Sequence, residues 1–396
     1  MTQYGIKGFV LFAIALASMF FGCNVSENTL TVPVFKVGPY PVGTSDIRIA
    51  EEFSKLSGKE MDSYLIGSQV DGDMRFMDSI LADKENPLLL SVEIPQDKKV
   101  YGSAAGAKLP IFIHVTYPTT ADNKRSHYDF PYASTTDNRF EHVQSQGVKP
   151  LFADENTRYP LVFDSHGYTS HGYWGPSGST KLSSHGYIVA SVNYGDDRIS
   201  SDWENHLHEN FRVYVAQEAL DFLLAHPDYE EHIDNSRIVA SGHSLGGFTA
   251  LALAGGKYNG VKNVITKPRV SAVIPSGPWT GGLLQNGSLS QPFGKDYAGL
   301  RDISVPMLGL YGTKDEATKP EYVLPALAMT TGPRYIIALV DQPHVYEAGS
   351  WQDQANWVLL FLEAYFKDDD ASLELLKGAN SVEGGNIDLQ RFDLQR

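Results

Sequence analysis

Of 396 residues, 32 are Lys or Arg, 47 are Asp or Glu and one is Cys, and with 42% hydrophobic and 20% charged residues the composition is globular, not disordered or fibrous. A net charge of −15 repels phosphate backbones and no run of basic residues occurs, which argues against a nucleic-acid partner. The lone cysteine excludes an intramolecular disulfide and a multi-cysteine metal site.

Residues 8–22 (GFVLFAIALASMFFG) carry no charge and follow Lys7. This run is shorter than the ~20 residues of a membrane-spanning helix, and a basic flank ahead of a short apolar core predicts a secretory signal peptide over residues 1–22. Phe20-Phe21-Gly22-Cys23 resembles the lipobox of bacterial lipoproteins; Gly22 fits that pattern, whereas Phe20 stands where it usually has Leu. The resemblance implies lipidation of Cys23 and a membrane-anchored lipoprotein of a bacterial envelope. Ordinary cleavage nearby, giving a periplasmic or extracellular protein, is the competing expectation. Residues 23–60, polar and punctuated by Pro and Gly, are expected to form a tether and an extended lead-in, and residues 61–396 one α/β domain with its C-terminal tail. Asp71-Gly72-Asp73 lacks the spacing of a calcium loop and reads as a turn.

Short runs rich in Val, Ile and Leu then recur at 88–94, 110–117, 159–164, 187–194, 237–241, 270–274, 306–311 and 335–340. The last six are continuously apolar, as parallel strands buried on both faces should be. The first two have no helical stretch between them and are expected to pair antiparallel at an edge. Residues 211–225 place Val215, Ala219, Phe222 and Leu223 on one helical face and stop at His226-Pro227. Residues 245–253 are small and apolar throughout, fit for a helix against a sheet, and 351–366 form a last amphipathic helix. Strands alternating with helices predict one eight-stranded, mostly parallel α/β sheet with helices on both faces.

Gly242-His243-Ser244-Leu245-Gly246 follows one of these strands and opens the small-residue helix. The bare pattern is weak in a chain with 36 glycines, but strand, sharp turn and helix together form the setting a nucleophile elbow needs. Such a turn strains the serine backbone at the carboxyl end of the strand, and the flanking glycines let helix and strand close around it. The helix N-terminus offers partial positive charge to an oxyanion. A helix N-cap serine is the plainer alternative.

A serine hydroxyl is a weak nucleophile and needs a base and an orienting acid. Eleven of the twelve histidines precede Ser244, so in the order Ser, acid, His that α/β-hydrolases follow, only His344, on the loop beyond the last run, is available as base. Asp315, directly after the run at 306–311, is the expected acid, with Glu316 and Asp302 as rivals. Two backbone N–H donors should form the oxyanion hole: Leu245, and Tyr168 in the His166-Gly167-Tyr168 loop after the run at 159–164. His166 and His243 read as hydrogen-bonding supports, and His206 and His208 as solvated loop residues, not metal ligands.

Residues 159–246, with GPYPVG at 38–43, resemble the platelet-activating-factor acetylhydrolase group of α/β-hydrolases and related bacterial esterases; LVFDSHGY, KLSSHGYIVASVNYGD and SRIVASGHSLGGFTA carry the likeness. Polyester hydrolases and cutinases of actinobacteria are similar in the elbow, in a Tyr after the oxyanion-loop Gly and in a Trp after the sixth strand, here Trp279. Dienelactone hydrolases are also relatives, but their Cys nucleophile has no counterpart here. The resemblance implies an α/β-hydrolase fold and a carboxylic ester hydrolase in which Ser244, His344 and Asp315 form the triad and an acyl-enzyme is the intermediate. No cofactor is required, and no metal. Tyr168 and Trp279 are expected at the acyl pocket, with Trp279 as a purely packed residue the alternative. No large lid is evident over residues 279–300, so short acyl esters are the expected substrates. A polyesterase, cutinase-like or lipase-like hydrolase of long or polymeric esters is the first alternative and a non-catalytic hydrolase-like binding protein the second. A peptidase is less favoured, since no propeller-sized extra domain is seen.

Overall fold

The computed structural model describes residues 30–45, 87–129, 139–144, 147–168, 170, 172, 176–194, 207–258, 269–284, 287–385 and 389–392. Its main sheet has ten strands: β1 (Val42–Thr44), β2 (Leu89–Glu93), β3 (Lys108–Pro118), β4 (Tyr159–Ser165), β5 (Ile188–Asn193), β6 (Ile233–His243), β7 (Ala272–Ser276), β8 (Met307–Gly312), β9 (Arg334–Leu339) and β10 (Leu389–Phe392). In space they run β10-β9-β8-β7-β6-β4-β5-β3, with β1 and β2 side by side on the outer edge of β3. Strands β4 to β9 are mutually parallel; β3 and β10 run antiparallel to their neighbours.

All eight apolar runs are strands, but the count of eight is too low. The added strands β1 and β10 come from three and four residues, too few to display any period, and each exists because a longer strand offers it an edge. β2 and β3 do pair antiparallel, although a one-turn helix, Lys98–Tyr101, stands between them, capped by Asp97 Oδ1 accepting from Lys99 N–H at 2.9 Å.

Among the described residues, six helices cover the sheet: α1 (Pro176–Ser184), α2 (Leu207–Leu224), α3 (Leu245–Leu253), α4 (Pro320–Leu327), α5 (Ala348–Phe366) and α6 (Asp370–Gly378). Alternate residues of each central strand enter two separate cores. Leu161, Phe163, Ile238, Ala240, Val273 and Ile336 pack with α2, α3 and α4, while Val162, Val239, Ile274, Leu308 and Ile337 pack with α1, α5 and α6. Continuous apolar runs are therefore what a sheet covered on both faces demands. Among the described residues, no helix is long and apolar enough to cross a membrane. A second, two-stranded sheet pairs Leu30–Val32 in parallel with Ala379–Val382.

The chain leaves β4 through α1 to β5 on one side, and leaves β6 through α3 to β7 on the other. Neighbouring strands whose connections diverge open a crevice at their carboxyl ends, where α/β proteins bind ligands. Trp357 of α5 is wholly buried in the core on the α1, α5 and α6 side. Trp357→Ala should cost about 3–5 kcal/mol in denaturant unfolding; a loss below about 1 kcal/mol would contradict this packing.

Candidate active site

β6 ends at His243, and Ser244 adopts φ 57° and ψ −119° before α3 begins at Leu245. A non-glycine residue there is strained by about 1–3 kcal/mol and persists only where its surroundings fix it. The Ser244 N–H donates to the Ser276 carbonyl on β7 at 2.9 Å, and its own carbonyl accepts from Phe248 N–H at 3.1 Å and Trp279 N–H at 2.9 Å. A Cβ at Gly242 would stand 2.4 Å from the Gly246 carbonyl oxygen, and one at Gly246 only 1.8 Å from that of Ser165. Both glycines are thus demanded by contact. The Ser244 side chain makes no capping hydrogen bond to α3, unlike an N-cap serine. Leu245 N–H, at the first helical position, has no acceptor within its own helix.

Asp315 follows β8 and His344 follows β9. Nδ1 of His344 lies 2.8 Å from Oδ2 of Asp315, whose side chain is fully buried while that of His344 is 22% exposed. The N–H groups of Ala317 and Thr318 donate to Asp315 Oδ1 at 2.9 and 2.7 Å. The Thr318 hydroxyl lies 2.8 Å from Oδ2, 2.9 Å from the Gly277 carbonyl oxygen and 3.2 Å from His344 Nδ1. Burial pushes the Asp315 pKa up, but the His344 imidazole and the Thr318 donors more than offset it, so the carboxyl is held below its usual range. With Nδ1 committed to the carboxylate, Nε2 is the His344 atom left to take a proton. The rivals stand elsewhere: Glu316 is exposed, and Asp302 pairs with Lys257.

His344 joins the elbow through His243. Their ring centroids are 4.5 Å apart, and His243 Nε2–H donates to the His344 carbonyl at 2.8 Å. Ser244 and His344 are not hydrogen-bonded to each other. Ser244 opens into a cavity of about 210 Å³ lined by Tyr168, Leu245, Trp279, Leu284, Ala317 and Thr318. Trp279 is half-buried and its Nε1–H donates to Oε1 of Glu209, a buried residue in the first turn of α2, at 3.1 Å. It is therefore both packed and exposed to the cavity.

The loop after β4 closes the other side. A Cβ on Gly167 would lie 3.2 Å from Ser244 Cβ, so the loop backbone passes directly over the elbow. His166 Nε2 accepts from Tyr194 N–H at 3.2 Å, which assigns the proton to Nδ1, and Nδ1–H donates to the Gly167 carbonyl at 2.7 Å. Sequence reading missed Thr318, Glu209 and Arg212. Thr318, three residues after the acid, has the spacing of a side-chain-capped turn; nothing local marks the other two. Cys23 and His206 lie outside the described residues, as does the side chain of His208.

Residues 176–266 match the model of the prolyl oligopeptidase family, whose members are serine hydrolases of the α/β-hydrolase superfamily. The matched stretch runs from α1 past α3 and contains Ser244 but neither Asp315 nor His344. No curated protein matches the chain. The match supports a serine hydrolase, and the mostly parallel sheet with helices on both faces agrees with the α/β-hydrolase fold that the match implies.

Burial of the His243 ring, with His344 beside it, pushes its pKa from the usual 6.5 down to about 4. Below pH 6.5 the unfolded chain therefore takes up a proton that the folded protein refuses, so the stability tied to neutral His243 is complete above pH 6.5 and is lost as pH falls toward 4. Buried His114, pushed down to about 3, acts in the same sense. Thermal unfolding between pH 7 and pH 4 should show a falling Tm, with a shallower fall in His243→Gln. Parallel pH profiles would count against the assignment.

Proposed function

We propose that the protein hydrolyses carboxylic esters of short acyl chains through a Ser244–His344–Asp315 triad, in the manner of the platelet-activating-factor acetylhydrolase group. His344 Nε2 takes the Ser244 proton as Oγ attacks the ester carbonyl, and ionised Asp315 holds the imidazole in register and offsets its positive charge. The Leu245 and Tyr168 amides receive the oxyanion. The alkoxide leaves with the proton from His344, and water, deprotonated by the same imidazole, hydrolyses the acyl-enzyme. No cofactor takes part.

One observation carries the choice of substrate. The cavity at Ser244 is walled by Tyr168, Leu245, Trp279, Leu284 and Ala317; among its lining residues only Ser244, Thr318, Tyr168 and Trp279 carry polar side-chain atoms, and the Trp279 indole N–H is already donated to Glu209. Such walls suit a small apolar acyl group better than a peptide main chain, whose own N–H and C=O groups would be stranded there. A second reading, hydrolysis of peptide bonds, is favoured by the match of residues 176–266 to the prolyl oligopeptidase family. Export, with lipid attached to Cys23 and the enzyme held at a bacterial envelope, belongs to the same proposal.

Ser244→Ala should lower p-nitrophenyl acetate hydrolysis by roughly 10³-fold or more while leaving the fold intact. For the unsubstituted protein, kcat/KM should fall along a p-nitrophenyl ester series as the acyl chain lengthens beyond butyrate. A rise toward long chains would favour the lipase or polyesterase reading, and faster cleavage of peptidyl p-nitroanilides than of any ester would favour the peptidase. Mass spectrometry of the mature N-terminus should find a lipidated Cys23; cleavage elsewhere or an unmodified thiol would remove the anchor.

A further inference from the structure

Arg212 stands on α2 and is completely buried. A guanidinium stays ionised at any physiological pH, so enclosing one is costly unless acceptors surround it. Those acceptors include main-chain carbonyls of the loop after β4. Nη1–H donates to the His166 carbonyl at 2.5 Å, and Nη2–H reaches the Gly167 carbonyl at 3.5 Å, the outer limit of a hydrogen bond. The guanidinium carbon lies 4.2 Å from the centre of the Tyr194 ring, the residue whose N–H is bound by His166 Nε2. The Gly167 carbonyl thus receives Arg212 from one side and His166 Nδ1–H from another.

A trans peptide points its C=O and N–H in opposite directions. Holding the carbonyls of His166 and Gly167 toward Arg212 turns the N–H groups of Gly167 and Tyr168 away from it. Gly167 itself adjoins Ser244, its Cβ position 3.2 Å from that of the serine. Without a fixed cation behind it, a glycine-containing peptide unit could rotate and withdraw its donor. A positive charge on the carbonyl side also polarises both peptide groups, which strengthens their N–H as donors.

We infer that Arg212 is a positioning residue for the oxyanion hole: its guanidinium clamps the carbonyls of His166 and Gly167 so that the Tyr168 amide faces the Ser244 acyl centre. This rests on the proposed role of the Tyr168 amide. Arg212→Met removes the clamp, and Arg212→Lys keeps the charge on an ammonium that cannot fork across two carbonyls.

The test is the rate at which a fluorophosphonate labels Ser244, since the phosphoryl oxygen occupies the oxyanion hole whatever bond the enzyme cleaves, together with kcat and KM on p-nitrophenyl acetate. Labelling rate and kcat should fall together, about 10²-fold in Arg212→Met and less in Arg212→Lys, with KM changed by no more than about twofold. Arg334→Met is the control for burial alone. Arg334 is as buried and its Nη1–H donates to the Thr330 carbonyl, remote from the elbow, so this variant should lower Tm yet label at the unsubstituted rate. Wild-type labelling rates in folded Arg212 variants would overturn the inference, as would equal slowing in Arg334→Met or a rise in KM with kcat unchanged. Failure of both Arg212 variants to fold would assign the residue to stability instead. Absence of labelling in the unsubstituted protein would overturn the serine-hydrolase reading itself, a result distinct from unchanged labelling in the variants.

Discussion

The site depends on one close approach, that of the Gly246 backbone to the carbonyl of Ser165. Helix α3 must start almost in contact with the end of β4 for Ser244, two residues earlier, to be driven into a left-handed backbone conformation and lifted clear of the sheet. Any side chain at Gly246 would push the helix off the strand and relax the serine. All nine residues of α3 are buried, since the helix packs against β6, β7, β4 and α2, and its one hydroxyl, that of Thr249, donates back to the Leu245 carbonyl at 2.8 Å. Strain at the serine is thus held by packing that extends through the core.

Two charged residues on α2 take hold of two elements that line the cavity. Glu209 receives the Trp279 indole N–H, and Arg212, one turn on, grips the loop that carries Tyr168. Both are buried, so their geometry is fixed by the protein and not by solvent. A helix that otherwise supplies Val213, Ala216, Leu220 and Leu223 to a hydrophobic core is therefore also the reference frame for two parts of the cavity wall. Displacing α2 would move both together, which couples their positions to the packing of that core.

The sheet was largely legible in the sequence because burial on both faces leaves an unbroken apolar signature, and the elbow because two glycines and a serine sit between strand and helix. Chain order alone brought Asp315 and His344 forward, and the structure brings them within hydrogen-bond distance of each other. Other features carried no local signal. Helix α1 (PSGSTKLSS) is polar and lacks an apolar period, and α4 contains an internal Pro325; both exist because the sheet needs cover at those places. β1 and β10 are defined by their partners, since Gly43 opposite Tyr117, or Gln390 opposite Ile337, has no strand character of its own. Nothing local in the sequence marks Arg212 and Glu209, which only the tertiary structure turns inward.

The small parallel sheet has a kinetic consequence. Leu30 pairs with Ala379 and Val32 with Val382, so this sheet joins segments separated by nearly the whole length of the described chain. Loop closure over such a distance must precede any stabilising contact, and pairings of this kind form late. The main sheet can assemble around β4 to β9 without the Leu30–Val32 pairing. The Leu30–Val32 strand therefore stays unpaired until the chain through residue 382 is free to meet it.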